Sequence, residues 1–194
     1  MSKHSPSDFV VILPGSIITI PQDMAVYRMF HELFNNKFGV DTVMVDMTDL
    51  DAVQKAITSG TRLVHIETPD NPTNGVTDIE AIAKIAHENG AVVSVDNTFA
   101  SPFNQKPLGH GADFVVEALT KFINGHGDAQ GGAIISNDLE TMDRIRYEAQ
   151  VNVGSVISPF NAWQIFRGSV TFPLRMQRIN ESSQKIAEWL EQQP

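Results

Sequence analysis

The sequence has 194 residues, enough to bury one full core, and sets 23 Asp and Glu against 14 Lys and Arg for a formal net charge of −9. That acidic balance, with no basic stripe, argues against a nucleic-acid partner, and the absence of Cys excludes a disulfide frame and a thiolate metal site. The polar start from Met1 to Asp8 and the lack of any apolar run near the ~20 residues of a membrane span lead us to expect a soluble, cytoplasmic protein without a membrane partner.

In chain order, Phe9 to Leu13 reads as a buried strand cut off by Pro14-Gly15. Asp23 then precedes Met24, Tyr27, Phe30, Leu33 and Phe34, a stripe at helical spacing that stops at Gly39. Thr42 to Val45 is a brief strand, and Thr48 to Asp51 caps a helix whose Leu50, Val53 and Ile57 face inward. Leu63 to Ile66 is a strand running into Glu67-Thr68-Pro69-Asp70-Asn71-Pro72-Thr73-Asn74-Gly75, where prolines and glycine forbid regular structure. Thr77 to Glu80 has capping-box spacing for a helix with Ile79, Ile82, Ala83 and Ala86 on its apolar face, closed by Gly90. Ala91 to Asp96 is an apolar strand ending on a carboxylate, Asn97 to Pro107 a loop, and Phe114 to Ala118 a strand leading to Thr120-Lys121. Ala133 to Ile135 is one more strand. Asn137 or Asp138 caps a helix reaching about Gln150, and Thr171 onward is a long amphipathic helix through Ile179, Ile186 and Trp189. Trp163 and Phe166, with Pro159, read as core. Strands alternating with helices at these intervals indicate an α/β fold with a mostly parallel sheet and helices on both faces.

Parallel strands put their carboxyl ends on one sheet edge, where open α/β folds bind ligands. Three such ends carry chemistry here: Glu67 with Asn71 close behind, Asp96 with Thr98, and Thr120-Lys121 before the glycine-rich Asn124-Gly125-His126-Gly127-Asp128. A lysine partly desolvated by its strand is a nucleophile towards carbonyls. Taken singly, Lys121 is also open to the reading of a lysine snorkelling from a strand end, and Asp96 to that of a turn cap. Taken together, an amine, a carboxylate and an amide suit pyridoxal phosphate, which needs a lysine for its aldehyde, an anion at its pyridine nitrogen and polar groups near its phenolic oxygen and phosphate. No Gly-x-Gly-x-x-Gly opens a helix, and no His-Glu-x-x-His supports a metal site around His65, His126 or Asp128.

Glu67 to Thr73, Val95-Asp96-Asn97-Thr98-Phe99-Ala100-Ser101-Pro102, Gly111-Ala112-Asp113 and Thr120-Lys121-Phe122-Ile123-Asn124-Gly125-His126 closely resemble the Cys/Met-metabolism, or trans-sulfuration, family of pyridoxal-phosphate enzymes. That family includes cystathionine γ-synthase, cystathionine γ-lyase and methionine γ-lyase. The resemblance extends to Phe38–Asp51, Ser158-Pro159-Phe160 and Arg167-Gly168 through Met176. It implies the large domain of the aminotransferase-like fold type I, truncated at both ends, with residues 1–170 as part of that domain and 171–194 as a helix leading towards an absent C-terminal domain. By the resemblance Lys121 is the lysine that binds the cofactor aldehyde, Asp96 the partner of the pyridine nitrogen, Asn71 a group near the phenolic oxygen, Thr98 a ring-packing contact and Thr120 a phosphate ligand.

Departures accompany the matches. Glu117-Ala118 stand where the family usually has His-Ser, so one phosphate-binding hydroxyl is missing. A hydrogen bond to a charged group is worth ~1.5–3 kcal/mol, so affinity for the cofactor should fall by roughly one to two powers of ten. The ring-stacking tyrosine of the family has Asp23 at its place, and the family's N-terminal Tyr-x-Arg arm, its Ser-Gly-Met phosphate turn and its carboxylate-binding C-terminal domain have no counterpart. We therefore expect a trans-sulfuration enzyme that takes a small amino acid and cleaves a C–S bond or replaces a γ-substituent, forming a dimer or tetramer of like subunits if completed. The alternative is a truncated relative that is inactive alone or needs a partner chain.

Overall fold

The computed structural model describes residues 11–14, 28–38, 40–58 and 60–194, the side chains of residues 11–14 and of His31 excepted. Phe9, Val10, Asp23, Met24, Tyr27 and Gly39, on which parts of the first expected strand and helix and the stacking position rest, lie outside the described residues.

Among the described residues six strands form one sheet: β1 (Val11–Pro14), β2 (Thr42–Val45), β3 (Leu63–Glu67), β4 (Val92–Asp96), β5 (Phe114–Glu117) and β6 (Ala133–Ile135). Their order is β2-β1-β3-β4-β5-β6, parallel throughout except for β6, which runs antiparallel to β5. The β3, β4 and β5 carboxyl ends are level, because Glu67 pairs with Asp96 and Asp96 with Val116.

Among the described residues the helices are α1 (Met29–Asn35, π-helical, continued by Asn36–Phe38), α2 (Leu50–Ala56), α3 (Ile79–Glu88), α4 (Ser101–Asn104), α5 (Leu139–Tyr147, continued by the π-helical Glu148–Val153), α6 (Pro159–Ser169) and α7 (Phe172–Leu190). Asp78 starts α3 by accepting a hydrogen bond from the Ala81 N–H, and Ile79, Ile82, Ala83 and Ala86 are all buried. Thr77 was expected to cap this helix. It is instead buried, its N–H given to the Thr68 hydroxyl, so the cap falls one residue later. Within the expected Thr48–Asp51 cap of α2, Asp49 is the residue that accepts the Ala52 N–H, while the Thr48 hydroxyl bonds Asp46. Leu50, at the first position of α2, is exposed rather than inward, while Val53 and Ile57 are buried as the stripe requires.

Side chains alternate across a strand, and β3 shows which helices cover each face. Val64 and Ile66 join Val93 and Val95 of β4 in the main core with α2 and α3. Leu63 packs against Phe30 of α1, and the His65 ring lies 5.6 Å from the Phe30 ring. Helices thus cover both faces, and the registers place Glu67, Asp96 and Val116 on the α1 side and Val95, Val115 and Glu117 on the α3 side.

Several elements differ from the sequence reading. The Asn97–Pro107 loop contains α4, and a short 3-10 turn, Pro107–His110, follows it. β5 ends at Glu117 rather than Ala118, since the antiparallel ladder with β6 closes at the Glu117–Ala133 pair. Trp163 and Phe166 are exposed by 55 % and 74 %, not core. α6 turns Ile165 and Gly168 inward instead; Trp163 stacks on Phe160, and the Arg167 guanidinium lies over the Trp163 ring. The first half of α7 packs on α4 through an edge contact of Phe172 with Phe103 and a reciprocal amide pair between Asn104 and Asn180.

Candidate functional site

The carboxyl edge of β3, β4 and β5 carries the expected groups, each held by local chemistry. Beyond β3, Asp70 is buried and accepts hydrogen bonds from the Gly75 N–H at 2.8 Å and from the Thr73 hydroxyl. The Asp70 N–H and the Gly75 carbonyl add a backbone bond of 3.1 Å, so residues 70–75 form a closed turn on which Asn71 sits half-buried. At the end of β4 the half-buried Asp96 carboxylate accepts the Thr98 N–H at 2.9 Å. The Thr98 hydroxyl in turn accepts the Ala118 N–H at 2.8 Å. Next to Thr98 on one segment and next to Lys121 on the other, the Phe99 and Phe122 rings meet edge to face at 6.4 Å. Two separate contacts therefore tie the segment bearing Asp96 to the segment bearing Lys121.

Lys121 itself is exposed and stands four residues past the end of β5, in a turn. The expected partial desolvation by its strand is corrected by this position: β5 has already ended, and the chain from Ala118 to Asn124 coils back on itself. Lys121 gives its N–H to the Ala118 carbonyl, and its own carbonyl accepts the Gly125 N–H at 2.7 Å. Thr120 anchors the start of that turn. Its hydroxyl donates to the Gly131 carbonyl and accepts the Gly131 N–H, closing the loop between β5 and β6. The single hydroxyl proton of Thr120 is thus already used inside the chain.

Behind this edge, on the α3 side, lies a polar network that sequence reasoning missed. Glu117 is 4 % exposed and accepts from the Asn97 side-chain amide at 2.8 Å. Asn97, fully enclosed, also meets Gln105, whose amide nitrogen donates both to the Asn97 oxygen at 2.9 Å and to the Thr68 carbonyl at 3.1 Å. Ends of β3, β4 and β5 are thereby pinned to one another through amides. Burial pushes the Glu117 carboxyl above the usual carboxylate range; the Asn97 hydrogen bond opposes this, and the negative charge of Asp96 adds to it. A largely apolar recess of about 690 Å³ opens beside Glu117 and Asn97, lined also by Leu119, Ile123 and Ile135. On the α1 side burial holds the His65 imidazole below its ordinary value, against the pull of Asp96. The Glu117-for-His replacement was visible in the sequence, whereas nothing local to Gln105 announced its part.

Residues 14–194 match the profile of the family described as Cys/Met metabolism PLP-dependent enzyme. The chain belongs to this family. Among curated relatives of the Cys/Met-metabolism family, a canavanine γ-lyase of Pseudomonas canavaninivorans is 49 % identical over 167 residues, 86 % of this chain and 42 % of the relative. A cystathionine γ-synthase of Mycobacterium leprae is 43 % identical over 187 residues, 95 % of this chain and 48 % of the relative. An L-methionine γ-lyase of Fusobacterium nucleatum subsp. polymorphum is 44 % identical over 160 residues, covering 81 % of this chain and 40 % of that protein. The crystal structure of metB from Corynebacterium glutamicum superposes with a TM-score of 0.87 at 38 % identity, covering 98 % of this chain and 48 % of that one. Cystathionine γ-lyase from Lactobacillus plantarum, complexed with L-serine, gives a TM-score of 0.87 at 34 % identity with the same coverage. The chain spans just under half the length of the relatives it matches, and the fold type I reading is shown by these structures.

For the cofactor of the Cys/Met-metabolism family, the chemistry of the donor set fits the ring and the aldehyde. An exposed amine, a carboxylate whose one oxygen is already turned by the Thr98 N–H, and an amide on a closed turn share one sheet edge. For the phosphate the same edge offers less, because the Thr120 proton goes to Gly131 and position 118 is an alanine.

Proposed function

We propose that this chain is the lysine-bearing part of a pyridoxal-phosphate enzyme that acts at the γ-carbon of a small amino acid, by elimination or by replacement of the γ-substituent. The single observation that carries the reading is the double tie between the Asp96 and Lys121 segments, Thr98 to Ala118 and Phe99 to Phe122. Relatives named as canavanine γ-lyase, cystathionine γ-synthase and L-methionine γ-lyase support the γ-carbon. Sulfur amino acids are the substrate class we assign, with C–S cleavage or γ-replacement as the reaction.

When bound, pyridoxal phosphate supplies an aldehyde carbon and an electron-withdrawing ring that stabilises negative charge at the substrate's Cα. In our reading Lys121 would be the amine that binds that aldehyde carbon, and the same amine would serve to move protons at the substrate carbons. The Asp96 carboxylate holds the ring nitrogen protonated by a charge-assisted hydrogen bond, and the Thr98 N–H keeps that carboxylate from rotating away. Asn71 would serve the phenolic oxygen and the Thr98 side chain would pack on the ring. Thr120 reaches the phosphate only by turning its hydroxyl proton from the Gly131 carbonyl.

That last requirement favours a second reading, in which the chain holds the cofactor weakly and turns over only with phosphate donors supplied by another segment or polypeptide. We further assign residues 1–170 to one partial domain, with 171–194 as its outgoing helix, in a cytoplasmic homo-oligomer. The exposed Phe166, Leu174 and Trp189 on α6 and α7 support assembly. No described helix is long and apolar enough to cross a membrane.

The test is to add pyridoxal phosphate to the purified chain, follow the visible absorption band that borohydride bleaches, and map the reduced pyridoxyl adduct by peptide mass. We expect the adduct on Lys121 and its loss in Lys121→Ala. An adduct confined to another lysine sinks the assignment, and a band obtained only with a companion chain selects the second reading.

A further inference from the structure

Arg175, one turn into α7, lies far from Lys121 in sequence, yet its guanidinium is spent on the backbone that follows the lysine. Its Nη1 donates to the Phe122 carbonyl at 2.6 Å. Nη2 reaches the carbonyls of Ile123 at 3.0 Å, Asn124 at 3.4 Å and Gly168 at 3.1 Å, while Nε donates to the Thr171 hydroxyl at 3.1 Å. The carbonyls of residues 122–124 end a coiled turn, where backbone oxygens collect and positive charge is favoured; the Asn124 oxygen also meets His126 Nδ1 at 2.6 Å, so Arg175 holds Phe122 and Ile123 most directly. A planar guanidinium offers five donors in one rigid fork and can hold several carbonyls at once, which a lysine ammonium on a flexible stem cannot do with the same geometry.

The surroundings leave space for this arrangement and little else. Gly125 has φ +73°, and a Cβ there would lie 2.0 Å from Arg175 Nη1. Gly168 presses on the turn from α6, where a Cβ would come 2.3 Å from the Asn124 carbonyl oxygen. The Gly125 N–H closes the turn on the Lys121 carbonyl itself. Lys121 is therefore bracketed, by the Thr98 bond to Ala118 on one side and by the Arg175 grip on the next three carbonyls on the other.

We propose that Arg175 is a positioning residue for the Lys121 amine: its guanidinium clasps the carbonyls of Phe122, Ile123 and Asn124 and so sets the backbone from which the lysine reaches the cofactor. The proposal rests on the assignment of Lys121 made above.

Two measurements on the full chain test it, with wild type, Arg175→Lys and Arg175→Gln. In the first, amide hydrogen exchange is followed without cofactor. We expect the Asn124 and Gly125 amides to exchange about tenfold faster or more in Arg175→Gln, with β3 and β4 amides unchanged and Arg175→Lys in between. In the second, the rate of borohydride-trapped pyridoxyl labelling is followed lysine by lysine. Labelling of Lys121 should slow by a similar factor in Arg175→Gln and recover in part when guanidinium ion is added at low concentration, while labelling of other lysines stays constant. Unchanged exchange at residues 124 and 125, or exchange raised evenly through the sheet, overturns the clasp. Equal Lys121 labelling in all three proteins overturns its positioning role. Wild-type labelling that avoids Lys121 instead overturns the assignment of the lysine, and the exchange result then reports on the clasp alone.

Discussion

The Ala118 N–H donates to the Thr98 hydroxyl oxygen at 2.8 Å, joining the segment after β4 to the segment after β5. Through the Thr98 N–H the same residue fixes Asp96 Oδ1, so one threonine sets the separation of the acid and the lysine turn. Thr98→Val keeps the shape and removes the acceptor. Leaving the Ala118 N–H without a partner should cost about 1–3 kcal/mol in urea unfolding, with Thr98→Ser within about 1 kcal/mol of wild type. A loss in Thr98→Val as small as that in Thr98→Ser would show that this bond does not tie the two segments.

Lys121 is exposed, so Lys121→Ala should change unfolding free energy by less than about 0.5 kcal/mol. The borohydride-stable pyridoxyl adduct should nevertheless vanish. A variant that keeps the adduct, or that melts much earlier, contradicts a purely chemical role.

Glu117 predicts a pH effect of definite sign. Its folded carboxyl titrates above the unfolded value, chiefly through burial, so the folded chain holds more protons between those two values. Its favourable contribution is complete below the unfolded value of about 4.5 and is lost as pH rises through the folded one. Glu117→Gln keeps an oxygen for the Asn97 amide and removes that loss. The variant should gain stability relative to wild type at pH 7 and lose the advantage at pH 4, read from paired urea melts. A difference independent of pH would refute it.

His65 should behave in the opposite sense. Burial holds its folded value below the ordinary 6.5, so its neutral form is stabilising above that pH and the contribution is lost as pH falls through the folded value. His65→Gln should flatten the acid side of the stability curve. A steeper acid loss in the variant would contradict the buried neutral imidazole.

The core and the caps should differ in scale. Ile82 is fully buried between α3 and the sheet, so Ile82→Ala should cost about 2–5 kcal/mol. Asp78→Ala, which removes only the cap of α3, should cost about 1 kcal/mol. Urea midpoints of the two variants at constant slope check the ranking.

Features that depend on short-range periodicity and on strand polarity were readable from the residues alone. The Ile79, Ile82, Ala83, Ala86 stripe specifies one buried helical face, and the apolar runs ending in Glu67 and Asp96 specify parallel strands whose acids share one edge. Asp96, Thr98 and Lys121 were legible for the same reason, since each lies just past an apolar run. The resemblance of their motifs to the Cys/Met-metabolism family agrees with the family match. Tertiary structure alone decided how those segments are held. Gln105 reaches the Thr68 carbonyl and Arg175 the carbonyls after Lys121, contacts 37 and 53 residues apart that no local pattern encodes. It also decided that Trp163 and Phe166 face outward, because which stripe of α6 is buried depends on where Gly168 permits close approach to Asn124. Hydrogen bonds to backbone carbonyls read shape rather than residue type, so their partners leave no signature in the chain until it has folded.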